Sequence, residues 1–212
     1  MKPYVVGITG ASGAVYGIRF VQVLAELGYE VALVVSDAAR LVIQEELGIS
    51  LSSPTEKQAF QTFFEPKALE RITLYSNRDF TAPIASGSYP TQGMVIIPCS
   101  TGTLGHIAGG AVTNLIHRAV ECHLKEGRRL VIVPRETPLS AIQLENLLKL
   151  ARLGVRVLPA SPAFYSGAQS IQNLVDFIIG KTLDVLEIQH AVYPRWTGPS
   201  PQPSPLEGER EG

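Results

Sequence analysis

Cysteine is scarce in this chain. Only Cys99 and Cys122 occur. Neither stands in a CxxC pair or at ligand spacing from a histidine, which argues against a disulfide framework and a zinc site. Cys99 ends an apolar strand and Cys122 falls in a helical stretch, so both read as buried thiols. That suits a cytoplasmic protein. An excess of one charge is lacking as well. Lys and Arg number 18 against 19 Asp and Glu, for a net charge of -1, and nothing marks a nucleic-acid partner. No apolar run reaches the roughly 20 residues of a membrane span, and one lysine before a strand is not a signal-peptide layout. The four histidines, His106, His117, His123 and His190, show no HxxxH and no His–Asp pairing. They read as structural or surface residues, with no Ser-His-Asp triad and no metal site. Apolar side chains nearly vanish after Trp196, where proline alternates with small and charged residues. The tail 197–212 therefore reads as disordered, and 1–196 as one domain.

What is present is a core. Hydrophobic residues make up 45% of 212, enough for one sizeable interior. Strand patterns at 4–9, 30–35, 72–75, 94–98, 129–134 and 155–158 alternate with helical ones. The helices fall at 15–27, 37–47, 103–108, 114–125, 141–153 and 170–186. Strict alternation predicts an α/β fold, a single-domain three-layer α/β/α sandwich with a mainly parallel sheet. The strands are continuous apolar runs, as expected with both faces covered. The stretch 51–93 is less regular and long enough to be functional. Helices 114–125 and 141–153 carry more apolar residues than one sheet face needs, which predicts a homo-oligomer.

Ligands on such sheets bind beyond the carboxyl ends of the strands. Five polar or glycine-rich clusters fall there: Gly10–Gly13, Ser36, Cys99–Thr103, Arg135-Glu136 and Pro159–Tyr165. The first, Gly10-Ala11-Ser12-Gly13, leads from a strand into a helix N-terminus, where free amides and the helix dipole suit phosphate. It is neither GxGxxG nor a P-loop, and no Tyr with a Lys four residues on supports a short-chain dehydrogenase. Asp37 follows Ser36 at a helix start, a capping position. Ser100, Thr101, Gly102 and Thr103 form a second turn of the anion-binding type, or a plain N-cap.

Arg118, Lys125, Arg135 and Lys181 are the cations of interest. Arg118 and Lys125 lie two turns apart on one helix face. Lys125 and Lys181 read equally well as solvated helix ends. Arg135 follows an apolar strand directly, where a charge has no core role, and arginine suits bidentate phosphate contact. Glu136 adjoins it. Glu46 reads from the residues alone as surface charge, and Tyr165 as a hydroxyl in the loop after the last strand.

Together these stretches resemble the UbiX-type flavin prenyltransferases, a branch of the flavodoxin-like, Rossmann-like flavoproteins. The matching stretches are ITGASGAVYGIR, SDAARLVIQEE, ASGS, PCSTGTL, LIHRAVECHLKE, LVIVPRETPLS, LPASPAFY and PRW, in order from Tyr4 to Trp196. The resemblance implies an enzyme that joins a dimethylallyl group from dimethylallyl monophosphate to N5 and then C6 of reduced FMN, without a metal. The product, prenylated FMN, serves UbiD-type decarboxylases. Gly10, Ala11, Ser12, Ser36, Ser100, Thr101, Gly102, Thr103 and Arg135 would hold FMN. Ser86, Gly87, Arg118, Lys125, Arg135, Tyr165 and Lys181 would surround the donor phosphate, with Trp196 closing over it. Ser12, Glu46 and Glu136 would assist proton movement. Lys181 stands where the family usually has Arg, and Phe80 where some members have Trp. The family forms dodecamers built from trimers. Two rivals remain at this point. A cysteine decarboxylase on the same fold would need a PxMN stretch, but Pro98 leads into Cys99-Ser100-Thr101. A non-catalytic flavin carrier would not need a second phosphate site.

Overall fold

The computed structural model describes residues 1–51, 56–164, 168–195 and Gly198. Tyr165, Trp196 and the tail other than Gly198 lie outside the described residues.

Strands β1 (Tyr4–Ile8), β2 (Val31–Val35), β3 (Ile72–Ser76), β4 (Gly93–Cys99), β5 (Leu130–Pro134) and β6 (Arg156–Val157) form one sheet. Its order is β3-β2-β1-β4-β5-β6, and every neighbouring pair is parallel. The order reverses between β1 and β4, which places a crevice beyond their carboxyl ends. Alternation explains the unbroken apolar runs. Tyr4, Val6 and Ile8 face one core, while Val5 faces the other.

The helices are α1 (Ala14–Glu26), α2 (Asp37–Leu47), α3 (Glu56–Gln61), α4 (Pro66–Leu69), α5 (Thr101–Gly109), α6 (Leu115–Lys125), α7 (Ala141–Arg152) and α8 (Ile171–Val185). One layer holds α1, with α2 and α8 packed on it; the other holds α5, α6 and α7. Side-chain caps set where several helices begin. The Ser36 hydroxyl accepts from the Ala39 amide, Asn114 from His117 and Ser170 from Asn173, each satisfying an orphan amide of the first turn. Ser140 and Gln143 complete a capping box on α7.

Three expectations need adjustment. The irregular stretch 51–93 holds two short helices, a strand and a 3₁₀ turn at Pro83–Ala85. The excess apolar surface belongs to α7 alone. On α6, Leu115, Ile116, His117, Ala119, Val120, Cys122 and His123 are all buried, whereas on α7 Ile142 is 71% exposed and Leu148 50%. Finally, a His–Asp pair does exist, because His190 Nε2 lies 3.1 Å from Asp184 Oδ1. Cys99 and Cys122 are free and buried, and burial pushes the Cys99 thiol up to about 12.

Candidate functional site

The switch point is tied together by Thr9, which no sequence pattern marks. Its hydroxyl donates to the Pro98 carbonyl at 2.8 Å and accepts from the Ser100 amide at 2.7 Å. Through the buried Thr9, this pair of bonds joins the end of β1 to the turn that opens α5. Ser36, at the end of β2, donates its amide to the Ile8 carbonyl at 3.0 Å. Gly10 sits against α2, where an added Cβ would lie 2.4 Å from the Ala38 Cβ. Glycine is required there by packing alone.

The two helix N-termini expected to take phosphate differ. At α1 the seat is filled from within. Glu46, at the end of α2, accepts from the Gly13 amide at 2.9 Å and the Ala14 amide at 2.9 Å. Gly13 holds a φ of 97°, which aims its N–H at that carboxylate. Glu46 is thus not a merely solvated charge. Partial burial pushes its carboxyl up, but the Ser12 hydroxyl, the two amides and the Arg135 guanidinium together hold it below the ordinary range. At α5 the seat is open. Ser100 caps only the Thr103 amide, at 3.2 Å, and the amides of Thr101 and Gly102 meet no acceptor among the described residues. A helix start with two free donors and the positive dipole end fits a phosphate.

Arg135 closes this end of the sheet. Its Cδ lies 3.6 Å from where a Gly13 Cβ would stand. Its Nε is buried and has no hydrogen-bond partner among the described residues. A buried, charged donor without an acceptor is costly, so the site has a place for an acceptor that the chain does not itself supply. Burial raises the Tyr16 hydroxyl, and nearby Arg135 pulls it part of the way back. Glu136, next in the chain, is exposed. Its carboxylate accepts from the Thr137 amide at 3.0 Å.

A second group lies along α6. Arg118 Nε donates to the Ala85 carbonyl at 2.9 Å, and the Ser86 and Ser88 hydroxyls lie 2.8 Å apart. An added Cβ on Gly87 would come 3.1 Å from Lys125 Nζ, so glycine lets the ammonium approach. Lys125 also lies 3.8 Å from Glu126. The start of α6 docks on Asn77, just beyond β3, through the Leu115 amide at 2.8 Å. Its end leads into β5, so Lys125 stands toward the amino ends of the strands. Lys181 is likewise remote from Arg135. It sits in the C-terminal half of α8, 3.8 Å from Asp184, and α8 ends where Leu186 accepts from Arg129 at 2.6 Å. Among the described residues no hydrogen bond or ion pair joins the Ser12–Glu46–Arg135 group to Arg118, Lys125 or Lys181. One protomer therefore carries these groups on different elements, with α6 and α8 in opposite helix layers.

A cavity of 790 Å³ opens at the amino ends, between Lys2, Arg128, Arg129 and Arg156. None of the candidate residues lines it. The C-termini of α6 and α7 point into that region, which gives these cations a role against the helix dipoles. Among the described residues no group of three His, Cys, Asp or Glu side chains could hold a metal, and no helix is long and apolar enough to cross a membrane. His117 is buried and stacked on His106 at 4.7 Å; burial first, and then His106, bring it down to about 4. It stays neutral at pH 7.

Glu46 yields a pH-dependent prediction. Its carboxyl titrates lower in the folded chain than in the unfolded one, so the stability it adds is present above the unfolded value. That stability fades as pH falls through the folded one. Glu46→Gln should melt lower than the wild type at pH 7, by the on-the-order-of 1 kcal/mol of a helix cap. The gap should close on acidification below about pH 4. Parallel melting curves at pH 7 and pH 3 with the same gap would contradict the assignment.

An open parallel sheet with free anion donors at its switch point defines a doubly wound α/β protein that binds a phosphorylated cofactor. The Flavoprotein family profile matches residues 1–183. The chain is 51% identical over 193 residues to the flavin prenyltransferase UbiX of Halalkalibacterium halodurans, covering 91% of this chain and 92% of that one. It is similar in structure to AnUbiX (PadA1) in complex with FMN and dimethylallyl pyrophosphate, with a TM-score of 0.82 and 37% identity. That match covers 94% of this chain and 99% of the other. It is also similar to a dodecameric FMN-dependent UbiX-like decarboxylase from Escherichia coli O157:H7, with a TM-score of 0.81 and 38% identity over 93% and 100% of the chains. The chain belongs to the UbiX-type flavin prenyltransferase family.

Proposed function

We propose that this enzyme transfers the dimethylallyl group of dimethylallyl monophosphate to N5 and C6 of reduced FMN, and that a UbiD-type decarboxylase uses the product. The observation that carries the reading is the buried, unpartnered Arg135 Nε beside Gly13 and Glu46. It is supported by a relative at 37% identity that was crystallised with FMN and dimethylallyl pyrophosphate. The flavin supplies the nucleophilic ring atoms. Every other part of the task falls to side chains and amides of this chain.

The open amides of Thr101 and Gly102 receive the FMN phosphate, with Ser100, Thr103 and Ser36 around it. Gly10, Ala11 and Ser12 form the wall beside the ring. Glu46 keeps α1 and Ser12 in place while its own charge is offset by Arg135. The α1 amides are therefore not the FMN phosphate seat. Arg118, Lys125, Arg135, Tyr165 and Lys181 surround the donor phosphate, with Ser86 and Gly87 beneath it and Trp196 over it. As the allylic C–O bond breaks, negative charge grows on the phosphate, and fixed cations stabilise it. The allyl cation is held between aromatic faces. Glu136 or the departing phosphate takes the proton from the ring carbon, and Ser12 with Glu46 carries protons on the other side.

These groups lie apart in one protomer, so a complete site draws Lys125 or Lys181 from a second copy. A homo-oligomer satisfies this, as does the exposed apolar face of α7. A dodecamer built from trimers is the arrangement we assign, in line with the dodecameric relative. The free thiols suit the cytoplasm. The domain spans 1–196, with 197–212 as an appended tail. Phosphate release tests the reaction. Release from dimethylallyl monophosphate should require reduced FMN and proceed with EDTA present. No release with reduced FMN would leave a flavin carrier.

A further inference from the structure

Asp184 meets four side chains: Arg195, Tyr193, His190 and Lys181. Arg195 donates Nη1 to Oδ2 at 2.8 Å and brings Nη2 to 2.7 Å from Oδ1. Tyr193 Oη donates to Oδ2 at 2.8 Å, and His190 Nε2 lies 3.1 Å from Oδ1. Lys181 Nζ stands 3.8 Å away on the same helix. Three of these groups belong to the segment after α8, so one carboxylate ties residues 190–195 back onto the helix. The packing agrees. An added Cβ on Gly180 would fall 2.1 Å from the Tyr193 ring, and Tyr193 meets Phe177 at 5.1 Å between ring centroids. The segment lies directly on the backbone of α8, one residue from Lys181.

The charges do not cancel. One carboxylate faces two permanent cations, Arg195 and Lys181. Arg195 takes both oxygens through its planar fork, the stronger geometry. Among the described residues Lys181 is left at ion-pair distance without a hydrogen bond, and its side chain is 47% exposed. Its charge stays available for an outside anion. Without Arg195, Lys181 would turn onto Asp184 and be neutralised. Without Asp184, two like charges would repel and the segment would lose its tie.

We propose that Asp184 is a positioning residue: clasped by Arg195, it docks the 190–195 segment on α8 and keeps the Lys181 ammonium oriented and free for the donor phosphate. This rests on the proposed role of Lys181. It adds that the replacement of the usual Arg by Lys is supported from behind by an Asp–Arg clasp.

The test uses the full-length enzyme and four variants. Asp184→Asn should raise the KM for dimethylallyl monophosphate about tenfold, the loss expected of a hydrogen bond to a charged group. Its kcat and FMN affinity should stay within about twofold of wild type, well inside one tenfold step. Arg195→Met should raise the same KM, and it leaves the α8 carboxylate in place should Asp184→Asn fold poorly. Asp184→Glu should recover part of the loss. The chain's one tryptophan, Trp196, adjoins Arg195 in sequence, so its fluorescence reads the segment without turnover. Acrylamide quenching should increase in Asp184→Asn and Arg195→Met. A lower melting temperature with unchanged donor KM in both variants would reduce the clasp to a structural tie and overturn the proposal. Lys181→Ala separates the two readings. Unchanged donor KM in Lys181→Ala withdraws the Lys181 assignment itself. A raised KM there, with none in Asp184→Asn or Arg195→Met, overturns the clasp alone.

Discussion

Arg135→Ala should melt close to the wild type and lose prenyl transfer by about a hundredfold or more, the ~3 kcal/mol typical of a missing transition-state donor. Two features set the stability side apart from the activity side. Arg135 Nε is buried without a partner among the described residues, so truncation removes an unsatisfied donor and breaks no hydrogen bond there. Its nearest role within the chain is to help hold the Glu46 carboxyl low, an exposed interaction screened by solvent. The charge is therefore kept for a ligand. Arg135→Lys should recover little, because a point charge does not reproduce a planar fork. A collapsed melting temperature with normal specific activity would contradict this.

Placing charge on the outer face of α7 should abolish activity altogether. Ile142 and Leu148 are 71% and 50% exposed, and Leu139, Leu144 and Leu153 are exposed nearby. Five exposed large apolar side chains on and beside one helix mark an association surface. Ile142→Glu with Leu148→Glu should yield a folded species of lower mass by light scattering, with flavin binding retained and prenyl transfer absent. The fold should persist because neither side chain is buried in either core. The chemistry should fail because Lys125 and Lys181 lie away from Arg135 within one protomer. An active monomer would show that one chain holds a whole site.

Much of the fold is legible in the residues. Buried parallel strands need apolar side chains on both faces, and β1, β2 and β5 show that plainly. Ser36 before α2 and Gly48 after it, with a φ of 71°, mark both ends of that helix. Ser100, whose turn reads as an anion site or an N-cap, caps α5, so the helix starts earlier than its apolar pattern. Short elements were not legible. β6 has two residues, and α3 and α4 are too brief for a periodic signal.

The site is legible only where neighbours in the chain make it. The cluster at the end of β4 and the Arg135-Glu136 pair follow directly from strand ends. Glu46 does not. Its bonds to Gly13 and Ala14 span more than 30 positions, and nothing local to α2 announces them. The pair of Asp184 with His190 spans only six positions and is no more legible. The turn after α8, not a sequence motif, brings them together.

Mass spectrometry of the flavin tests the central claim most directly. The purified enzyme is incubated anaerobically with reduced FMN and dimethylallyl monophosphate, and the flavin is extracted. The account predicts a flavin heavier by one C5H8 unit, formed by the wild type and lost in Arg135→Ala. Unmodified FMN recovered after complete incubation with the wild type would contradict it.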